Sequence, residues 1–322
     1  MLVVDYEIGN KILIVIVIVA GIILVLINPL EMIDNYNFGK NLADIKSHTC
    51  KNTNASTDYS KIIILTFDDS RKSQYSYAVP IMDECGFKAT FFTVYDFLGQ
   101  DNSRMTWDDI TTLQNNGYDI ESHTMDHKDL TKMSLPELDY EIGGSQKGFA
   151  EHHINTTIFA SPYGNVWNNK TVIELVSKYY SFARDGYAPT MFLHCDGWKT
   201  FSNQTDCRTY SDDGKLNFAN RYSIRMWDHN YYDILYSHDD KKIFNLFVNE
   251  VNQGTVLNKH GAMVTFPVIA YHNVDFKTSD YNTDVNLFAQ EMNYLHDNGF
   301  RVITMADLGY DENENVLYIK NK

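Results

Sequence analysis

Basic residues are in the minority in this chain. Its 322 residues carry 27 Lys and Arg against 42 Asp and Glu, a formal net charge of −15. No cationic footprint for a phosphate backbone follows from that balance, so nucleic acid is excluded as a partner. Cysteine is scarce: Cys50, Cys85, Cys195 and Cys207 are the full set, and none forms a Cys-x-x-Cys pair. A zinc ribbon or a thioredoxin-like site is therefore unsupported. Cys85 stands near an expected helix end and reads as a buried thiol. Cys195 and Cys207 flank a polar segment, where a disulfide is expected if the domain is exported. Also missing is a small-x-small cleavage pattern after Leu30, which argues against a removable signal peptide. Core-forming residues are plentiful: 44% hydrophobic and 14% aromatic, with 22 Tyr and 18 Phe. That excludes a disordered chain and fits one large α/β domain with accessories, or two small domains.

After a short mixed-charge tail, residues 1–11, the chain is apolar without interruption from Ile12 to Ile27. As a helix this run spans about 24 Å, close to a bilayer core. Ile and Val favour strands in water, but in lipid a helix satisfies its own backbone. The expectation is one transmembrane anchor over residues 12–30, with the remaining chain outside the cell. Secretion after signal cleavage is the weaker alternative, and Lys11 is the only basic residue before the run to set orientation. Residues 31–60 are polar and without period, the pattern of a stalk. Asn54, Asn155, Asn169 and Asn203 each open an Asn-x-Ser/Thr triplet, which adds little in a chain so rich in Asn and Thr.

From residue 61 strands and helices alternate. Strands are expected at 61–67, 89–94, 118–122, 157–160, 181–184, 222–227, 262–271 and 301–304. Helices are expected at 75–85, 107–115, from Ser134 onward, at 170–179 and at 286–298. Thr106 caps the second of these helices, and Ser134 with Glu137 forms a capping box for the third. Residues 185–221 read as an insertion within a domain spanning 61–310, and residues 311–322 as a tail. Repeated βα units predict mainly parallel strands in a barrel or an open sheet.

Chemistry concentrates at strand ends. The apolar run Ile62-Ile63-Ile64-Leu65-Thr66-Phe67 stops at Asp68-Asp69-Ser70, and polar residues at that end of a buried strand sit where α/β folds bind ligands. About fifty residues on, Ser122-His123-Thr124-Met125-Asp126-His127 follows another expected strand. Two His four apart lie on one face of a helical turn and clasp one metal ion in many sites, though most such pairs are surface decoration. Joined to an Asp from the first cluster they leave open positions for water and substrate, as catalytic zinc sites do.

In this order, Thr66-Phe67-Asp68-Asp69-Ser70, Ser122-His123-Thr124-x-x-His127, Ser161-Pro162-Tyr163-Gly164 and Tyr271-His272 resemble the polysaccharide deacetylases of the NodB-homology type, carbohydrate esterase family 4. The resemblance runs from about residue 61 to 308 and includes the closing Gly299-Phe300-Arg301-Val302-Ile303-Thr304. It implies a distorted (β/α) barrel holding one divalent metal, usually Zn2+, through Asp69, His123 and His127. It further implies Asp68 as general base, the Tyr163 backbone N–H as oxyanion donor beside Pro162, and His272 as the acid that protonates the departing amine. Three positions depart from the pattern. Ser70 replaces the usual Gly. Ala160 stands where most members carry an Arg that orients the catalytic Asp; in this it resembles the poly-N-acetylglucosamine deacetylase branch, where that Arg is also absent. The usual Asp-Trp motif is absent, and the matching strand offers Phe182-Ala183-Arg184-Asp185. Arg184 is therefore expected to supply the guanidinium beside Asp68. With Ala270 two residues before His272, Trp198 or Trp227 is expected to line the acetyl pocket. The implied activity is de-N-acetylation of an N-acetylhexosamine polysaccharide outside the cell. The rivals are an ester or small-molecule amide hydrolase, and a glycan-binding surface protein without activity. His152, His153, His194, His229, His238, His260 and His296 match no ligand spacing, and Asp126 reads as a cap or supporting group.

Overall fold

A computed structural model describes residues 3–8, 11–18, 21–27, 29–52, 58, 60–166, 169–187, 190–193, 221–258, 265–276, 281–314 and 316–320. Trp198, Cys195, Cys207, His194, His260, Asn54 and Asn203 lie outside these residues. The chain divides into two units, Met1–His48 and Thr49–Lys322.

In the first unit β1 (Val3–Ile8), β2 (Lys11–Ile18) and β3 (Gly21–Ile27) form an antiparallel sheet, followed by a helix, Pro29–His48. Two expectations are corrected here. The run expected as one spanning helix is two paired strands, and no helix among the described residues is long and apolar enough to cross a membrane. Its β-branched Ile and Val favour a strand, and the inter-strand ladder satisfies the backbone that a helix would have satisfied internally. The stretch expected as a stalk is helical as far as His48; Pro29 opens that helix, where its fixed φ suits the first turn.

In the second unit the strands are β4 (Ile62–Asp68), β5 (Thr90–Thr93), β6 (Asp119–Ser122), β7 (Ile158–Ala160), β8 (Phe182–Tyr187), β9 (Thr190–Phe192), β10 (Ile224–Asp228), β11 (Thr265–Tyr271), β12 (Asn273–Asp275), β13 (Asn282–Asp284), β14 (Arg301–Ile303), β15 (Leu308–Asp311) and β16 (Val316–Ile319). Neighbours pair parallel in the order β4-β5-β6-β7-β8-β10-β11, and β11 returns to pair with β4. A seven-stranded parallel barrel results. Its distortion is visible at β4, whose first residues pair with β14 and whose last pair with β5. β9 adds antiparallel to β11, so the start of the expected insertion is ordered sheet.

All seven residues of β4 are buried, and they divide by the period of two that a strand imposes. Ile62 and Ile64 join Phe92, Ile158, Ala160, Phe182, Ile224, Met226, Val268 and Ala270 in the barrel core. Phe67 faces the surrounding helices, stacking on Phe91 and Tyr271 and meeting Phe288 of the helix Val285–Asp297 edge-on. Full burial of each such side chain contributes about 1.5–3 kcal/mol. The capping boxes at Thr106/Asp109 and Ser134/Glu137 form as their residues predict. The helices His229–Leu235 and Asp240–Leu257 had no counterpart in the expected elements. The described part of the expected tail, residues 311–314 and 316–320, is folded into the domain, because β16 pairs with β15 and buries Leu317 in the core.

Cys85 is not a free thiol: it forms a disulfide with Cys50, their Cα atoms 5.1 Å apart. Cys85 ends the helix Val79–Glu84, and no spacing rule pairs it with a cysteine 35 residues earlier. Closing a loop of that length stabilises by about 4 kcal/mol. Thermal unfolding with and without reductant checks this: Cys50→Ala/Cys85→Ala and the reduced wild type are both expected to melt several degrees lower. Equal Tm values would show the bridge to be neutral.

Candidate active site

The carboxyl ends of the barrel strands deliver the site. Asp68 continues the inward register of Ile62, Ile64 and Thr66. Arg184 follows Phe182 on the inward face of β8, Asp228 follows Met226 on β10, and His272 follows Ala270 off β11. The side chains of Asp68, Asp228 and His272 line one pocket of about 220 Å³ together with Asp69, His123 and His127 from the neighbouring loops, and Arg184 stays outside the lining.

Asp69, His123 and His127 come together with their ligand atoms within 4.8 Å of one another. His123 and His127 present Nε2 at 3.8 and 3.2 Å from Asp69 Oδ1, a buried oxygen with no hydrogen bond of good geometry. On His123 the other ring nitrogen, Nδ1, lies 2.8 Å from the Ala160 carbonyl. A carbonyl only accepts, so Nδ1 carries the hydrogen and Nε2 keeps its lone pair toward the trio. Burial drives His123 down to about 4 despite the pull of Asp68, which keeps the ring neutral. Burial alone would raise the Asp69 carboxyl, but His127, His272 and His123 around it hold it well below the usual carboxylate range. Two imidazoles and a carboxylate are a donor set that suits zinc.

The route by which the two His converge differs from the expected helical turn. Residues 123–129 form no helix; Thr124 and His127 adopt φ of 74° and 63°. Asp69, Ser70 and Tyr163 also have positive φ, so three site loops carry residues in the left-handed region. Such backbone persists only where its surroundings hold it. Here Thr124 Oγ1 accepts from His127 N–H, and Glu141 Oε2 accepts from the N–H groups of Met125 and Asp126. At Ser70, where a Gly was the usual residue, the hydroxyl accepts from Val94 N–H at 2.9 Å and so holds the strained turn against β5.

Arg184 is 1% exposed and its Nη2 lies 2.6 Å from Asp68 Oδ2. The guanidinium also lies over the Phe92 ring and touches Met226 Sδ. Ala160 is the register partner of Arg184 on the adjacent strand. A short residue there leaves barrel volume for the long one beside it, so the guanidinium reaches Asp68 from β8 rather than β7. Asp68 lines the pocket, and its Oδ1 remains buried with no hydrogen-bond partner.

Tyr163 sits in the turn Pro162–Gly164 with its ring half exposed and edge-on to His127, and Pro162 is buried beneath it. Trp227 does not line the pocket. Its neighbours Met226 and Asp228 take the inward positions, so Trp227 points outward and stacks on Tyr232. Several functional neighbours carried no sequence signal. Arg71 pairs with Asp69 Oδ2 at 3.2 Å, and Arg104 donates to the Asp69 carbonyl at 2.6 Å. Gln74 Nε2 donates to the carbonyls of both Asp68 and His272, tying two strand ends together. Asp228 Oδ1 lies 3.9 Å from His272 Nδ1. Only Asp228, at the end of an expected strand, was open to prediction by position.

Residues 55–180 match a family model described as polysaccharide deacetylase. The chain is 32% identical over 113 residues to “Putative polysaccharide deacetylase YxkH” of Bacillus subtilis (strain 168), covering 35% of this chain and 40% of that protein. It is 28% identical over 123 residues to “Bifunctional xylanase/deacetylase” of Pseudobutyrivibrio xylanivorans, covering 38% and 20%. The matches support the polysaccharide deacetylase family. The chain spans less than half the length of these curated relatives. Among solved structures, “T48 deacetylase with substrate” is similar at 17% identity and a TM-score of 0.47, over 78% of this chain and 92% of that one.

The Asp68–Arg184 pair generates a stability prediction. Arg184→Met leaves a buried carboxylate unpaired and is expected to cost about 3–5 kcal/mol, whereas Arg184→Met with Asp68→Leu regains most of that loss. Denaturant unfolding of the two variants decides, and equal losses would mean that the charges do not interact.

Proposed function

We propose that this chain is a metal-dependent deacetylase that removes N-acetyl groups from an N-acetylhexosamine polysaccharide outside the cell. The observation that carries the proposal is the meeting, in one pocket, of the Asp69, His123 and His127 trio with Asp68 and His272. Asp69, His123 and His127 would hold the ion, with zinc the proposed occupant. When bound, it supplies Lewis-acid polarisation of the acetyl carbonyl and a nucleophilic water at neutral pH.

The chain's own groups then divide the proton work. Asp68 Oδ1 takes a proton from the attacking water, while Arg184 holds Oδ2 and keeps the carboxylate turned to the pocket. Water oxygen bonds to the acetyl carbon, the C–N bond breaks, and His272 gives its proton to the departing amine. In this reading the Tyr163 N–H donates to the oxyanion. Arg184 beside Asp68 also answers the Ala160 departure, one of the two, with the missing Asp-Trp motif, that motivate a binding-only reading. The similarity to a relative named as a xylanase/deacetylase supports a carbohydrate substrate. The Cys50–Cys85 disulfide supports an oxidising location, and hence the placement outside the cell.

Acetate release from chitooligosaccharides by the zinc-loaded protein tests the reading. Chelation is expected to abolish release and zinc to restore it. Asp68→Asn and His272→Ala are each expected to lower kcat by about 10²–10⁴. Full activity in Asp68→Asn would remove it as the base. Binding of acetylated glycans with no acetate from any of them would favour the binding protein, and release from O-acetyl esters alone would favour the esterase. Protease accessibility of the domain on intact cells checks location; protection would place it inside.

A further inference from the structure

Behind His272 runs a row of buried polar groups that the mechanism above does not use. Asn230 Oδ1 lies 2.7 Å from the backbone N of His272 and 3.3 Å from Nδ1 of its ring. Asn230 Nδ2 is 3.1 Å from Thr283 Oγ1, which is 3.0 Å from His229 Nδ1. His229 Nε2 is 2.7 Å from Glu291 Oε1, and the Tyr271 hydroxyl donates to Glu291 Oε2 at 2.8 Å. Asn230, Thr283, His229, Glu291 and Tyr271 are all 0% exposed, so solvent does not substitute for a missing partner.

The direction of each bond follows from what each atom is able to donate. A backbone N–H only donates, so the Asn230 atom facing His272 is its carbonyl oxygen. The ring Nδ1 beside that same oxygen must then carry a hydrogen to bond it. The Asn230 amide nitrogen consequently faces Thr283 and donates to its Oγ1. Thr283 still has its own hydroxyl proton to give, and His229 Nδ1 is the acceptor in reach. A ring that accepts at Nδ1 carries its hydrogen on Nε2 and donates it to Glu291. If His229 were doubly protonated, or Glu291 donated to it, Thr283 Oγ1 would accept twice. Its proton would then have no acceptor among the described residues. Burial and the nearby Glu291 charge push the Tyr271 hydroxyl well above its ordinary value, so it stays a donor at the far end.

We propose that Asn230, held from behind by Thr283, His229 and Glu291, is a positioning residue that keeps a hydrogen on His272 Nδ1 and leaves Nε2 to gain and give the reacting proton. The bond made by one imidazole nitrogen decides which nitrogen is free for chemistry. In a proton-transfer histidine the wrong tautomer costs up to about 10⁴ in kcat. Asp228, 3.9 Å from Nδ1, adds charge but is too distant for a hydrogen bond. Apart from Tyr271 on β11, the row is contributed by residues at the start of the helix His229–Leu235, by β13 and by the helix Val285–Asp297, so three elements outside the motif strands stand behind the His272 ring.

The proposal rests on His272 as the proton donor of the deacetylase reading, and the experiment separates the two. Long-range 1H–15N spectra of zinc-loaded protein with 15N-labelled histidine, assigned with His272→Ala, are expected to show hydrogen on His272 Nδ1 in the wild type. Thr283→Val keeps the shape and removes the hydroxyl. It is expected to shift His272 toward the Nε2–H form and to lower kcat about ten-fold with KM unchanged, a fraction of what a placed proton donor contributes. Thr283→Ser is expected to restore both. A wild-type ring carrying hydrogen only on Nε2 overturns the proposal even if Thr283→Val does not fold. A folded Thr283→Val with the native spectrum and native kcat overturns it as well. A shifted Thr283→Val spectrum in a protein that deacetylates nothing would sustain the tautomer assignment and sink the deacetylase reading instead.

Discussion

The Asp68 carboxylate and the Arg184 guanidinium meet inside the barrel at 2.6 Å, and the working face depends on that contact. Asp68 is 3% exposed and Arg184 1%. Neither charge is tolerable there alone, because removing one partner leaves the other uncompensated in low dielectric. The pair is asymmetric in a useful way. Arg184 engages one carboxylate oxygen, and its remaining face is taken up by Phe92 and Met226. The second carboxylate oxygen is left without a hydrogen-bond partner. A group that orients a base while leaving its basic atom free is what proton abstraction requires. Ala160 permits this arrangement by being small at the register position beside Arg184.

Around that pair the loops are held in conformations they would not adopt alone. Asp69, Ser70, Thr124, His127 and Tyr163 all have positive φ, and each lies within or beside the Asp69, His123 and His127 trio or in the turn Pro162–Gly164. Support comes from residues distant in sequence: Arg104 on the Asp69 carbonyl, Glu141 on the Met125 and Asp126 amides, Gln74 between Asp68 and His272. Strain near the chemistry is offset by hydrogen bonds that reach in from the helices and long loops. The row from Glu291 to Asn230 does the same for the His272 ring.

Much of the barrel was legible because its strands are short apolar runs punctuated by polar ends. The expected strand at 61–67 is β4 within one residue, and the helices capped at Thr106 and Ser134 start where their caps stand. The misses have physical reasons. The Ile- and Val-rich run near the start suits strand or helix according to its surroundings, and composition does not name them. Trp227 was assigned to the pocket by residue type, but one step of strand register turns it to the outer face. The disulfide and the His229–Glu291 contact join positions 35 and 62 residues apart, a separation at which sequence carries no pairing rule.

The sequence by itself determined the alternation of strands and helices and which residue types stand at the strand ends: Asp68 and Asp69, His123 and His127, His272. Local pattern is enough for these, since the period of a strand and the chemistry of a side chain are both properties of neighbouring residues. The tertiary structure decided which side chains meet. It chose the guanidinium that reaches Asp68, the carbonyl that sets the His123 tautomer, and the buried row that sets that of His272. Those outcomes depend on strand register and on helices closing over the barrel, and on the exclusion of water that makes each unpaired polar atom costly.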